Sequence, residues 1–230
     1  MMRRSSLLAE SLAIVCKELA SELRQRVALS AIGLFAITTL IAVAYQIGPY
    51  SLAENDRPFL LSALLWIILF FASMAGLARV FVKEEDAHTA KTLRLAARPH
   101  AVLLGKLVFN LLLLLALEVV VVPLYCGLMG LRIEGVLGLV LVMLAGGATL
   151  SISATFVAAL IARASGSNTL FPILALPLLL PLLVAAIAGT RAAVGSPELG
   201  AVLPALRAIS SLGGVTMVTA LLLFPVVWRD

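Results

Sequence analysis

Two groups of residues in this 230-residue chain have the types and spacing to do chemistry. The first is the segment 79–106. Arg79, Lys83, Glu84, Glu85, Asp86, Lys91, Arg94, Arg98 and Lys106 crowd into it between long apolar stretches. Charge concentrated on one segment of a greasy chain either offers ion pairs and hydrogen bonds to a water-soluble surface, a chemistry of recognition rather than bond-making, or makes a solvated loop that merely obeys the positive-inside rule. The second is Glu118, an isolated carboxyl inside an apolar run. A charge at the centre of a bilayer costs about 2.5–3.5 kcal/mol on insertion scales. Glu118 must therefore face a bundle interior, be protonated or pair. The hydroxyls of Thr149, Ser151, Ser153 and Thr155 are candidate partners, because Gly146-Gly147 lets helices approach closely. That leaves two readings: a buried structural hydrogen bond, or a gating or substrate-path residue.

Catalytic constellations are missing from the sequence. His88 and His100 fall in the charged segment with no apolar pocket to make either an axial haem ligand. Cys16 and Cys126 are far apart, lie in no CxxC pattern and read as unpaired. Gly105-Lys106 has no upstream glycine at the spacing of a phosphate-binding loop and is followed by Leu107, so ATP hydrolysis must come from another chain. No Ser-His-Asp set, Cys-His set or metal-ligand cluster can be placed on one face. The net charge of +5 does not point to nucleic acid, since the basic residues are mixed with acids and lack interleaved aromatics.

The elements that must hold these residues are membrane helices. The chain is 62% hydrophobic and only 13% charged, with mean hydropathy +1.13; soluble domains carry roughly 25% charge. A bilayer core of about 30 Å needs about 20 apolar residues in a helix. Six runs qualify: 27–48, 58–78, 107–131, 135–162, 168–190 and 208–228. They are continuous rather than alternating, which favours helices over a barrel. The fold class is all-α integral membrane, six transmembrane helices with an N-terminal amphipathic interfacial helix.

Thirteen of the seventeen Lys and Arg fall on one side of the six runs. The positive-inside rule then places both termini and the 79–106 loop in the cytoplasm. Residues 191–207, with Gly195, Pro197, Gly200 and Pro204, read as the one long outer loop, able to dip into the membrane. Residues 1–26 have charges throughout and no apolar core, unlike a cleaved leader. Within them Leu8, Leu12, Val15, Leu19 and Leu23 make one helical face, suited to lying on the membrane surface or to packing on a partner. The domain reading is 1–26, a cytoplasmic amphipathic helix, and 27–230, a six-span unit with an inner loop at 79–106. Pro172, Pro177 and Pro181 share the fifth run; they are either tolerated kinks or a hinge along a path.

Inside the loop, the run from Glu84 to Leu95 is helix-compatible, with acids first and bases later, as a helix macrodipole favours. Pro99 would stop that helix; a turn would follow, and then Gly105-Lys106 leading into the third span. Arg79-Val80-Phe81-Val82-Lys83-Glu84-Glu85, then Thr89, Leu93 and Leu95, then Leu104-Gly105-Lys106-Leu107, follow one another in a recognisable order. So do Leu117-Glu118-Val119, Val122-Pro123-Leu124, Leu170-Phe171-Pro172 and Leu176-Pro177-Leu178-Leu179-Leu180-Pro181. In these motifs the chain resembles the haem exporter protein B (CcmB) family, permeases of the type-2 ABC exporter kind. It departs from that pattern at His88, Lys91 and Ala97.

The resemblance implies the membrane subunit of an ABC complex for cytochrome c maturation, multi-pass in the bacterial inner membrane. It implies Glu84, Glu85, Thr89, Leu93 and Arg94 as the surface that meets a CcmA-like ATPase subunit. Further implied partners are CcmC-like and CcmD-like membrane proteins and the haem chaperone CcmE, with two copies of the permease per complex. Implied too are ATP on the partner subunit and haem at the level of the complex, with no cofactor on this chain. Rival readings are a permease of another type-2 exporter, for lipid or polysaccharide, and a non-transporting membrane scaffold.

Overall fold

The computed structural model describes residues 6–47, 56–77, 80–81, 84, 89–161 and 170–229. Its elements are α1 (Leu7–Gln25), α2 (Val27–Ile47), α3 (Arg57–Leu77), α4 (Ala90–Ala96), α5 (Pro99–Met129), α6 (Val136–Ile161), α7 (Leu170–Gly195) and α8 (Leu199–Arg229). No strand occurs among the described residues. Six of the helices, all except α1 and α4, are long and apolar enough to cross a membrane. An all-α integral membrane protein is therefore the fold.

Local chemistry sets the helix ends. The Ser6 hydroxyl caps α1 by accepting from Ala9 N at 3.2 Å. Arg26, at φ 54°, ends α1 in the left-handed region and is the single residue between α1 and α2. Gly130, at φ 59°, ends α5 the same way, the usual helix stop for a residue with no Cβ. Pro99 closes α4 and opens α5 at once: a proline at the first helical position loses no hydrogen bond, and its ring fixes a helical φ.

That second role of Pro99 corrects the expected boundary. The third span does not begin after Lys106. α5 runs 31 residues from Pro99, so the residues expected to form the turn, like Gly105 and Lys106, lie inside a helix. Of the run from Glu84 to Leu95, α4 accounts for Ala90–Ala96, Glu84 is helical, and the rest of the expected acidic start, residues 85–88, lies outside the described residues. The expected outer loop at 191–207 is corrected as well. α7 continues to Gly195 and α8 starts at Leu199, leaving a three-residue turn held by Gly135 N donating to Ala193 O at 2.8 Å. Arg191 and Arg207 interrupted the uncharged runs, but a helix persists past the hydrocarbon edge, where such side chains reach water. α7 also continues unbroken through Pro177 and Pro181, and Pro172 is only its third residue, where a backbone N–H has no helical partner to lose.

Packing joins the helices end to end in alternation. Arg57, at the start of α3, donates to Met129 O and Gly130 O at the end of α5. At the opposite end Lys106 of α5, Val80 and Phe81 beyond α3, and Trp228 of α8 converge. α3 is the most interior span; its Trp66 is fully buried and donates to Thr190 of α7 at 2.8 Å. Gly146 of α6 lies directly beneath that indole, where a Cβ would stand 2.2 Å from a ring carbon.

Candidate functional site

The charged residues of the inner segment do not simply face water. Lys106 is fully buried, and its ammonium donates to Glu18 Oε1 at 2.9 Å, Val80 O at 2.6 Å and Glu84 Oε1 at 3.2 Å. Those three bonds use all three donors of a lysine. The Phe81 ring lies 5.1 Å from the same nitrogen and packs against Phe224 and Trp228 of α8. Lys17 reaches over the rim to bond both Glu84 and Glu18. Thr89 completes the set, donating to Glu84 Oε2 at 2.5 Å. One fully buried cation, Lys106, faces two buried carboxylates, and Lys17, half exposed at the rim, supplies the second positive charge. That balance is what makes the burial tolerable, because an uncompensated buried ion costs several kcal/mol.

Each element brings its piece for a local reason. α1 turns Ser11, Ile14, Val15, Glu18 and Glu22 toward the protein. Gly105 lets that face approach α5: a Cβ there would lie 2.8 Å from Ile14 Cβ. Glu10 pairs with Arg98 at 3.3 Å, and Glu22 accepts from Leu29 N of α2 at 2.9 Å. α1 is thus fastened to α2, to α5 and to the inner segment. Burial alone would raise the Glu84 pKa, but Lys106, Lys17 and the Thr89 hydroxyl outweigh it and hold it down at about 2. Burial likewise lowers Lys17, yet Glu84 and Glu18 more than offset this and leave its pKa above the ordinary lysine value.

Of the five residues expected to meet an ATPase, the three whose side chains are described lie in different settings. Glu84 is 3% exposed and points inward, so its place is the buried cluster and not a surface. Thr89 is exposed, with its hydroxyl turned to Glu84. Leu93 is half-buried against the core. Arg94 lies on α4, its side chain outside the described residues, as is the whole of Glu85. Sequence reasoning missed Lys106 and Glu18 as partners. The available signal was the spacing Ser11, Ile14, Glu18, Glu22, a second helical face beside the leucine stripe. It also missed Leu95, which is 91% exposed on α4; an apolar side chain in so charged a segment was the clue.

The leucine stripe of α1 has a different fate from its neighbour face. Leu8, Leu12 and Leu23 are exposed, Leu19 is half-buried and Val15 is buried. The face that packs within the chain is the mixed one a step round the helix, with Ser11, Ile14, Val15, Glu18 and Glu22, and it carries the carboxylates that bond Lys106 and the α2 amide.

Glu118 is buried at 6% exposure, and its Oε1 has no hydrogen-bond partner. Three of the four hydroxyls expected to serve it are used elsewhere. Thr149 donates to Ile209 O, Ser151 to Leu107 O, and Thr155 to Ser151 O while accepting from Asn110. The carboxyl instead abuts Gly147, where a Cβ would come within 2.5 Å of Oε1.

Among the described residues no group of His, Cys, Asp and Glu is arranged to hold a metal ion. The family model described as CcmB protein matches residues 9–226. The chain belongs to the CcmB family. No curated protein matched the chain. As a CcmB-family member it is a multi-pass membrane protein, a permease subunit of the ABC system for cytochrome c maturation and haem transport. Such a permease works within a complex of Ccm components and is not itself an enzyme. The buried charge cluster joins Val80 and Glu84 of the inner segment to α1 and to the start of α5.

Proposed function

We propose that this chain transmits the work of a separate CcmA-like ATPase into the membrane, within a complex that holds CcmC-like and CcmD-like subunits and releases the haem-loaded chaperone CcmE. Haem is the cargo of the complex, and ATP is bound by the partner. The chain lies in the inner membrane with its termini and inner segment in the cytoplasm, two copies to a complex. The observation that carries this reading is the Lys106 cluster. A segment that moved independently of its spans would absorb a push; one tied through Lys106, Glu18 and Glu84 to α1 and α5 passes it on as rigid-body motion. The charge asymmetry supports the orientation, and the missing phosphate-binding loop supports a borrowed ATPase.

The docking surface in this reading is the outward side of α4. Thr89, Thr92 and Leu95 are exposed there, and a large apolar side chain on a polar rim is the kind of anchor that dominates an interface. Glu84 acts behind that surface by holding it. Glu118 belongs to the membrane part of the complex, and Pro177 and Pro181 supply the points where α7 can bend.

Replacing Leu95 with Asp tests the assignment. Co-purification of the ATPase with the L95D chain is expected to fall about tenfold or more, the usual weight of a central interface residue, with the permease still folded. Undiminished recovery of the ATPase would remove α4 as its docking surface.

A further inference from the structure

Arg191 lines a cavity of about 670 Å³ where the start of α3, the end of α7 and the start of α8 come together. Its guanidinium lies 5.8 Å from the centre of the Phe59 ring and pairs with no carboxylate among the described residues. Phe59 is two residues from Arg57, so this is the end of the molecule away from Lys106. Ser196 shares the cavity. Its Oγ accepts from Glu198 N at 3.2 Å, which leaves the hydroxyl proton to donate. The other side chains that line the cavity are apolar. Arg191, Phe59 and Val184 are exposed, so the opening faces sideways from the bundle.

The cavity continues inward. Val184 and Ala188 also line a second one, of about 650 Å³, which runs between α7 and α8 as far as Pro181 and Leu212. Ala185, Ala188, Ala205 and Ala208 keep this trough open, because each places only a methyl group in it. From Arg191 to Pro181 is ten residues of α7, about 15 Å at the helical rise. That is half of a hydrocarbon layer about 30 Å thick, the depth of one leaflet. A cation and a hydroxyl thus stand at headgroup level, over an apolar floor that reaches mid-depth.

Those dimensions choose the occupant. A small soluble anion would use Arg191 and leave the trough unfilled. A spanning helix crosses both leaflets and brings no anion to the rim. A phospholipid has its phosphate at the edge of the hydrocarbon and a chain one leaflet long. Cationic side chains near the membrane surface favour lipids with net negative charge.

We propose that the trough between α7 and α8 holds an acyl chain of an anionic phospholipid from the leaflet opposite the inner segment, with its phosphate on Arg191 and Ser196. The inference depends on the membrane fold alone and not on the coupling reading, and it gives α7 and α8 a lipid as a shared packing partner.

The test is native mass spectrometry of the permease, purified with its partner subunits in mild detergent, after exchange with dioleoylphosphatidylglycerol or with dioleoylphosphatidylethanolamine. One phosphatidylglycerol per chain should be retained, and phosphatidylethanolamine much less. Arg191→Gln should cut that retention about fivefold, the weight of one arginine beside anionic lipid. Ala188→Phe, at an exposed position in the trough, should displace the lipid as well. Arg132→Gln, which removes a cation outside the trough, should leave retention unchanged. Equal retention of the two lipids, or retention indifferent to Arg191→Gln, would overturn the proposal. So would a disulfide between two copies through Ala188→Cys, since protein would then cover the trough. A preparation that brings down no ATPase would count against the coupling reading and leave this measurement intact.

Discussion

Lys106 holds two carboxylates and a carbonyl with three donors, and the residue scale is where the cost of losing it is set. Lys106→Met leaves Glu18 and Glu84 facing each other without their buried cation, a defect worth about 3–5 kcal/mol. The thermal midpoint of the purified permease should drop markedly, and adding Glu18→Gln and Glu84→Gln should restore most of it. Were Lys106→Met as stable as the native chain, the cluster would not be holding the inner end together. Acidity probes the same cluster. Glu84 has an ordinary value of 4.5 and a folded value of about 2, so folding favours its charged form. Its contribution is complete above about pH 5 and disappears as the pH falls through 4.5 toward 2, on the order of 3 kcal/mol in all. Stability measured across that window should fall for the native chain and fall less for Glu84→Gln; identical slopes would remove Glu84 from the account.

At the scale of elements, α1 and α5 meet because position 105 has no side chain. Gly105→Val would press a methyl against Ile14 and lift α1 from its seat, an overpacking cost of about 1–3 kcal/mol. Faster protease cleavage within α1 is the expected result, reversed by Ile14→Ala, and protection unchanged in Gly105→Val would argue against the close approach. The glycine was visible in the sequence; its purpose was not, because nothing local to Gly105 says which helix comes near it. The same holds for Pro99. Its power to end α4 was legible, but its equal fitness to start α5 was decided by what followed. Hydrophobic periodicity drew α1 as a helix and said nothing of the neighbouring face with Glu18, whose burial depends on a lysine eighty-eight residues away from Glu18.

For the whole molecule, six crossings could be counted in advance because hydrocarbon thickness sets a length that composition must meet. What composition could not supply was length beyond the membrane. α5 and α8 each have 31 residues, about 46 Å of helix, and the polar ends of such helices look like loops to any count of uncharged residues. The pairing of ends is a stronger guide: Arg57 with Gly130 at one end, Lys106 with Val80 at the other. Single cysteines at Thr89 and Glu134 should therefore react with an impermeant thiol reagent from opposite sides of the membrane, Thr89 from the cytoplasm and Glu134 from outside, in a background with Cys16 and Cys126 replaced. Labelling of both from one side would break the alternation, and Thr89 reached from outside would reverse the orientation.

Only Arg26 stands between α1 and α2, and α2 has the smallest buried share of the six crossing helices. α1 is held along the face that carries Glu10, Glu18 and Glu22, so under the proposed coupling a displaced inner segment would drag α2 through the surrounding fluid hydrocarbon. The viscosity and thickness of that hydrocarbon would then set a drag on the stroke, and the lipid would be a silent participant in it.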